Sequence, residues 1–283
     1  MKKINLKAFA KINIGLNIIS KRNDGYHEIE TIFQQIDLFD EITISVRDDT
    51  KIVLESDSKN IPLDENNICF KAAKLLQEIS GVSRGVNIAI SKRIPIGAGL
   101  GGGSSDAAAT LKGLVKLWEL AYTKNEITKF SKQIGADVPF FVKGGTAYAS
   151  GIGDKLTQIE FPKKYYCVLV YPNIKIPSAW AYKNFNFNLT KTKKIIKLFE
   201  ILQKRFDLSE LENLAQNDFE DVVFREFPEL SELKRKLYQG GAFFASMSGS
   251  GSTIFGMFKE YFEAEAVLGI FPKSYQTFFT QPI

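Results

Sequence analysis

Apolar and polar residues alternate strictly at the start of the chain: Ile4, Leu6, Ala8, Ala10, Ile12, Ile14, Leu16 and Ile18 all occupy even positions. A period of two sets one face of a β-strand against a core. Lys7, Lys11, Asn13 and Asn17 fall on the opposite face, which ordinarily meets solvent. Asn23-Asp24-Gly25 is a turn signal, and Tyr26 and His27 leave it to enter a second extended run over residues 29–38. Shorter strands are predicted over 42–46, 52–55 and 86–90.

Helical spacing governs Ile68, Ala72, Leu75, Leu76 and Ile79, with Asn66-Asn67 placed to cap that helix. A second helical pattern runs through Ala107, Ala108, Leu111, Leu114 and Val115, and a third from Thr123 to Ile134, stopped by Gly135. A second half begins near Leu156. It shows strands at 166–170, 242–247 and 253–258, with helices over 193–202 and over 218–237, the latter broken at Pro228.

Between the strand at 86–90 and the second helix lies Pro95-Ile96-Gly97-Ala98-Gly99-Leu100-Gly101-Gly102-Gly103-Ser104-Ser105-Asp106. Five glycines within seven residues carry a large entropic penalty and need a geometric reason. A strand, a glycine turn and a helix start together supply unpaired N–H groups and a positive dipole end, the chemistry of an anion site. The loop lacks the Gly-Lys-Ser/Thr ending of a Walker A motif. It fits G-x-G-x-x-G, but a further helix follows instead of the second parallel strand that a dinucleotide fold requires. A flexible linker would not sit between a clean strand and a clean helix. Phosphate binding is the favoured reading.

Composition narrows the field. The net charge of +5 is mild and scattered, which suits an anionic small molecule as well as RNA. No apolar run is long enough to span a bilayer and no signal-type segment opens the chain, so a cytoplasmic location without membrane partners is expected. Cys69 and Cys167 are expected as buried free thiols. His27 is the sole histidine, which excludes a zinc site built on several.

Other residues keep two readings each. Lys11 and Asn13 point the same way one pleat apart, either into solvent or toward a site. Tyr26-His27 either caps a core or stacks on a planar ligand. Asp137, between a helix stop and the apolar Val138-Pro139-Phe140-Phe141, is expected to be at least partly buried and to need a cation, for which Lys11 is a candidate; a local turn cap is the alternative. Ser246–Ser252 is either a plain hairpin turn or a second glycine-serine loop converging with the first.

Read together, these stretches resemble the GHMP kinase superfamily, through Pro-x-Gly-x-Gly-Leu-Gly-Gly-Gly-Ser-Ser at 95–105 and Ser248-Gly249-Ser250-Gly251. Ala10-Lys11-Ile12-Asn13, Asp24-Gly25-Tyr26-His27, Ser104-Ser105-Asp106 and Gly135-Ala136-Asp137-Val138-Pro139-Phe140 resemble its branch acting on 4-diphosphocytidyl-methylerythritol. The resemblance implies an α+β, two-lobed fold with the active site in the cleft between lobes, residues 1–155 forming one lobe and 156–283 the other. It implies ATP-dependent phosphorylation of the 2-hydroxyl of that substrate, with Asp137 as base and Lys11 orienting it and steadying charge. Residues 95–105 would wrap the ATP phosphates, with Asn67, Lys92 and Asp106 nearby. Asn13, Tyr26, His27 and Tyr182 would meet the substrate. Asp106 takes a place that is Asn in some members, and no helix glutamate matches the superfamily's metal ligand. Mg²⁺ is therefore expected to rest on phosphates and water, with no metal ligand assigned in the chain. The expected partner is the small molecule alone, with no nucleic acid, for a monomer or weak homodimer. Another small-alcohol kinase of the superfamily, or a non-catalytic nucleotide or RNA binder on a related fold, stays open as the alternative.

Overall fold

Two long strands, β1 (Lys3–Lys21) and β2 (His27–Val46), pair around the predicted Asn23-Asp24-Gly25 turn, where Gly25 takes φ +86°. The computed structural model describes residues 2–162, 164–186 and 208–283. The helix expected over 193–202 lies outside the described residues. The chain falls into two units: Met1–Ala10, Leu38–Ile96 and Gly101–Gly144 form the first, and Lys11–Asp37, Gly97–Leu100 and Gly145–Ile283 the second. Both β1 and β2 run from one unit into the other.

In the first unit, β4 (Val86–Ser91) pairs antiparallel with β2, setting Ile88 opposite Ile44, and β3 (Ile52–Ser56) pairs parallel with β4. Helix α1 (Ile68–Ser80) packs on α2 (Gly102–Leu117), and α2 packs on α4 (Val138–Lys143) and α3 (Lys124–Ser131). Ile42, Ile44, Ile88, Ala72, Leu76, Leu111 and Phe140 are buried there. Gly113 lets α2 lie close to the strands: a Cβ on it would stand 2.7 Å from Ile44 Cδ1 and 2.8 Å from Leu6 Cδ1.

In the second unit, residues 31–34 of β2 pair antiparallel with β5 (Thr146–Ser150), and β5 pairs with β6 (Lys155–Gln158). A separate antiparallel sheet has the order β10 (Gln276–Thr280), β7 (Tyr166–Tyr171), β9 (Ile254–Phe258), β8 (Phe244–Met247). Around it lie α5 (Ser178–Asn184), α6 (Leu211–Leu214), α7 (Glu220–Glu226), α8 (Pro228–Gln239) and α9 (Tyr261–Leu268). Its core joins Val168, Val170, Ala245, Ile254 and Phe258 with Leu230, Leu233 and Leu237 of α8 and with Leu16 and Ile18 of β1.

Three sequence expectations change. Helix α2 begins at Gly102, inside the glycine run, because two of those glycines form its first turn and Gly101 turns the chain at φ +70°. Helix α3 stops at Ser131 and residues 132–134 turn toward Gly135. The polar face of β1 is not solvated beyond Lys7: Lys11, Asn13 and Asn17 are only 4%, 1% and 4% exposed.

Candidate active site

The turn in the glycine run is built from left-handed residues in alternation, with Gly97 at φ +70°, Gly99 at +81° and Gly101 at +70°. L side chains avoid this region, so the backbone path demands glycine at these three places. Between them Ala98 and Leu100 point inward and are buried, pinning the bend by its apolar side.

Within the second unit, Ser246–Ser252 does more than join β8 to β9. A Cβ on Gly99 would stand 2.0 Å from the Ser248 carbonyl oxygen, so the two glycine-serine loops are in backbone contact. Ser248 Oγ donates to the Gly99 carbonyl (2.9 Å) and accepts from the Asn13 N–H (3.3 Å). Thr253 N–H donates to the Ala98 carbonyl (3.2 Å) and Lys11 N–H to that of Leu100 (3.0 Å). The Lys11 ammonium donates to the same Gly99 carbonyl (3.0 Å) and to Asn13 Oδ1, and it lies 5.2 Å from the Phe33 ring centre. Asn13 Nδ2 in turn donates to Thr31 Oγ1 (2.9 Å). Lys11, Asn13 and residues 97–100 thus form one hydrogen-bonded cluster, and convergence of the two loops is the observed arrangement.

One member of this cluster's support was not foreseen. Asn217, buried, donates from Nδ2 to the carbonyls of Met247 (2.7 Å) and Gly249 (2.8 Å), while its Oδ1 accepts from the Phe219 N–H (3.0 Å). Nothing local in the sequence marks its link to the second loop, because the two carbonyls it holds are thirty and thirty-two residues away.

His27 and Tyr182 meet in the same unit, their rings stacked at 4.6 Å and 18°, and Tyr182 sets its edge against Phe219 at 4.9 Å. Burial pushes the His27 imidazole below its usual range, with Lys21 adding to the effect, so the neutral ring dominates near pH 7. Tyr26 stays on the exposed turn, 60% accessible, its N–H held by Asp24 Oδ1 at 3.1 Å.

The first unit holds the remaining candidates. Asn67 caps α1, as its place ahead of the helix predicts: Oδ1 accepts from the Cys69 N–H (2.8 Å) and Nδ2 donates to the Pro62 carbonyl (2.7 Å). Pro95 and Ser105 are buried, Ile96 and Ser104 half-buried, Gly103 exposed. Ser105 Oγ donates to the Phe9 carbonyl at 2.7 Å. Lys92 is enclosed between two buried carboxylates, donating to Asp40 and, at 2.8 Å, to Asp106 Oδ2. Burial opposes the Lys92 charge, but Asp106 and Asp40 outweigh it and raise its pKa. The Asp106 carboxyl is pushed up to about 8 by burial, against the pull of Lys92 and with the Asp40 charge raising it further. Asp106 caps no helix, and its Oδ1 is buried without a hydrogen-bond partner among the described residues. Asp137 sits half-buried just before α4 and makes no capping bond, which sets the turn-cap reading aside.

These segments can be set beside known proteins. The GHMP kinases N terminal domain family matches residues 67–145 and the GHMP kinases C terminal family residues 196–277. A protein of Chlorobium phaeobacteroides named 4-diphosphocytidyl-2-C-methyl-D-erythritol kinase is 43% identical, over 100% of this chain and 98% of its own. The chain belongs to this family of GHMP kinases. Another member, from Alkaliphilus metalliredigens, is 44% identical over 94% of this chain and 91% of its own. The crystal structure of a 4-(cytidine 5'-diphospho)-2C-methyl-D-erythritol kinase superposes with a TM-score of 0.83 at 30% identity, covering 99% of both chains. Homoserine kinase from Cytophaga hutchinsonii shares the fold alone, with a TM-score of 0.77 at 17% identity over 100% of this chain and 95% of its own.

Among the described residues no group of three His, Cys, Asp or Glu side chains is arranged to hold a metal ion. None of the described helices is long and apolar enough to cross a membrane.

Proposed function

We propose that this protein transfers the γ-phosphoryl group of ATP to the 2-hydroxyl of 4-diphosphocytidyl-2-C-methyl-D-erythritol, a step of the non-mevalonate route to isoprenoid precursors. The observation that carries the reading is the glycine turn, whose Gly99 carbonyl is bonded to both the Lys11 ammonium and the Ser248 hydroxyl. The names of the full-length relatives supply the substrate.

Phosphoryl transfer asks a protein mainly for positioning and charge stabilisation. Residues 95–105 would wrap the polyphosphate with backbone N–H groups, the first turn of α2 adding its unpaired amides. Asn67 and Lys92 would border the nucleotide. Asp137 would accept the hydroxyl proton and Lys11 would steady the oxygen charge that develops. Asn13 would orient the substrate, and Tyr26, His27 and Tyr182 would hold its cytosine. Residues 1–155 would act as the lobe carrying the phosphate loop, and 156–283 would complete the substrate side. Mg²⁺ would neutralise phosphate charge. It would arrive on ATP with most of its water shell, held by phosphate oxygens and water. Cytoplasmic location and a monomer or weak dimer, without nucleic acid, complete the proposal.

Asp137→Asn tests the base. It should bind ATP and the cytidyl substrate nearly as wild type does, yet lose about 10²-fold or more in kcat. A variant with close to full turnover would remove Asp137 from the role.

A further inference from the structure

Asp40 has no part in the reaction described above, yet it is wholly buried in β2 beside the glycine run. Three donors converge on its carboxylate: the N–H groups of Arg93 (2.6 Å) and Ile94 (2.8 Å) and the Lys92 ammonium. Residues 92–94 are the stem by which the chain enters the turn at Pro95. Lys92 reaches on to Asp106, the fifth residue of α2, where the chain leaves the turn. A Cβ on Gly102, the first residue of that helix, would stand 3.3 Å from Lys92 Nζ. One buried ammonium therefore ties both stems of the glycine run, and Asp40 anchors it. We infer that Asp40 is a positioning residue which, through Lys92 and Asp106, staples the two stems of the glycine run so that its amides are preset for a polyphosphate.

A buried ionic group is a weak stabilising device, since apolar residues of similar volume often serve as well. It is a strong orienting device, because each bond has a direction. Two carboxylates and one ammonium would leave a net negative charge in a dry site if all were ionised. Burial and the neighbouring Asp40 charge favour the protonated form of Asp106, against the pull of Lys92. Among the described residues Cys69 of α1 also faces the three, its thiol pushed up by burial and by Asp106. Loss of the proton from Asp106, whose carboxyl burial pushes up to about 8, would make the staple more negative and oppose a polyphosphate.

The inference rests on the kinase reading, and the experiment separates the two. Binding of the Mg²⁺ complex of AMP-PNP, a non-hydrolysable ATP analogue, and of cytidine 5'-diphosphate is measured by calorimetry on the full chain, for wild type, Asp40→Asn and Asp106→Asn. In Asp40→Asn an amide N–H₂ faces the Lys92 ammonium. AMP-PNP should weaken by about tenfold or more while cytidine diphosphate stays within about twofold. Wild-type affinity for AMP-PNP should fall between about pH 7 and pH 9, and Asp106→Asn should abolish that fall. A wild type that binds no AMP-PNP overturns the kinase reading and the staple together. A wild type that binds it, with Asp40→Asn binding it equally or losing both ligands alike, overturns the staple alone. If Asp40→Asn does not fold, the Asp106→Asn pH series decides, and identical slopes in variant and wild type overturn the inference.

Discussion

Gly99 concentrates the constraints on this site into one residue. Its φ of +81° disfavours any L side chain, and a Cβ would lie 2.0 Å from the Ser248 carbonyl oxygen, a backbone atom that cannot swing away. Gly99→Ala should therefore shift both loops, displace the carbonyl that holds the Lys11 ammonium, and raise KM for ATP about tenfold or more, read by steady-state kinetics. At Tyr26 the opposite holds: the ring is exposed and supports no core. Tyr26→Ala should leave thermal stability unchanged and raise KM for the cytidyl substrate about tenfold, with KM for ATP unaltered, since stacking on a base is worth on the order of 1–3 kcal/mol. Equal effects on both KM values would argue against a cytosine-facing ring. Residues of the glycine run were legible in the sequence because their spacing is local. Asp40 and Asn217 were not, because each draws its meaning from donors or acceptors more than twenty-five residues away.

At the scale of elements, periodicity located β1–β4, β7–β9, α1–α3, α7 and α8, since one buried face per element leaves a direct imprint on the sequence. It passed over β5, β6, β10, α4, α5, α6 and α9, each eight residues or fewer. It misplaced the start of α2 because glycines are poor helix formers, and a helix opening on two of them is set by tertiary packing. It also left the Lys11 and Asn13 face of β1 open between solvent and a site. Period two separates two faces but does not say what covers the second. Here residues 97–100 and the Ser248 loop pack at Lys11 and Asn13. The cap of α1 is the element-scale test: Asn67→Ala removes the acceptor for the Cys69 N–H and the donor to the Pro62 carbonyl. A loss of about 0.5–2 kcal/mol in unfolding free energy is expected from denaturant titration. No change would mean that the 62–67 turn holds itself.

For the whole molecule, the sequence motifs, the fold and the named relatives point to one chemistry, and they do so from different information. The motifs report local backbone demands, the fold reports which residues share a unit, and the relatives report a substrate. Lys11 and Asp137 belong to different units, so their joint action on one hydroxyl is a claim about the working molecule and is best tested by turnover. The direct measurement is to mix the protein with ATP, Mg²⁺ and 4-diphosphocytidyl-2-C-methyl-D-erythritol and to follow both nucleotides and substrate by mass spectrometry. The account predicts equimolar ADP and a substrate heavier by one phosphoryl group at the 2-hydroxyl. ATP left intact, or ADP formed with the substrate unchanged, would contradict it.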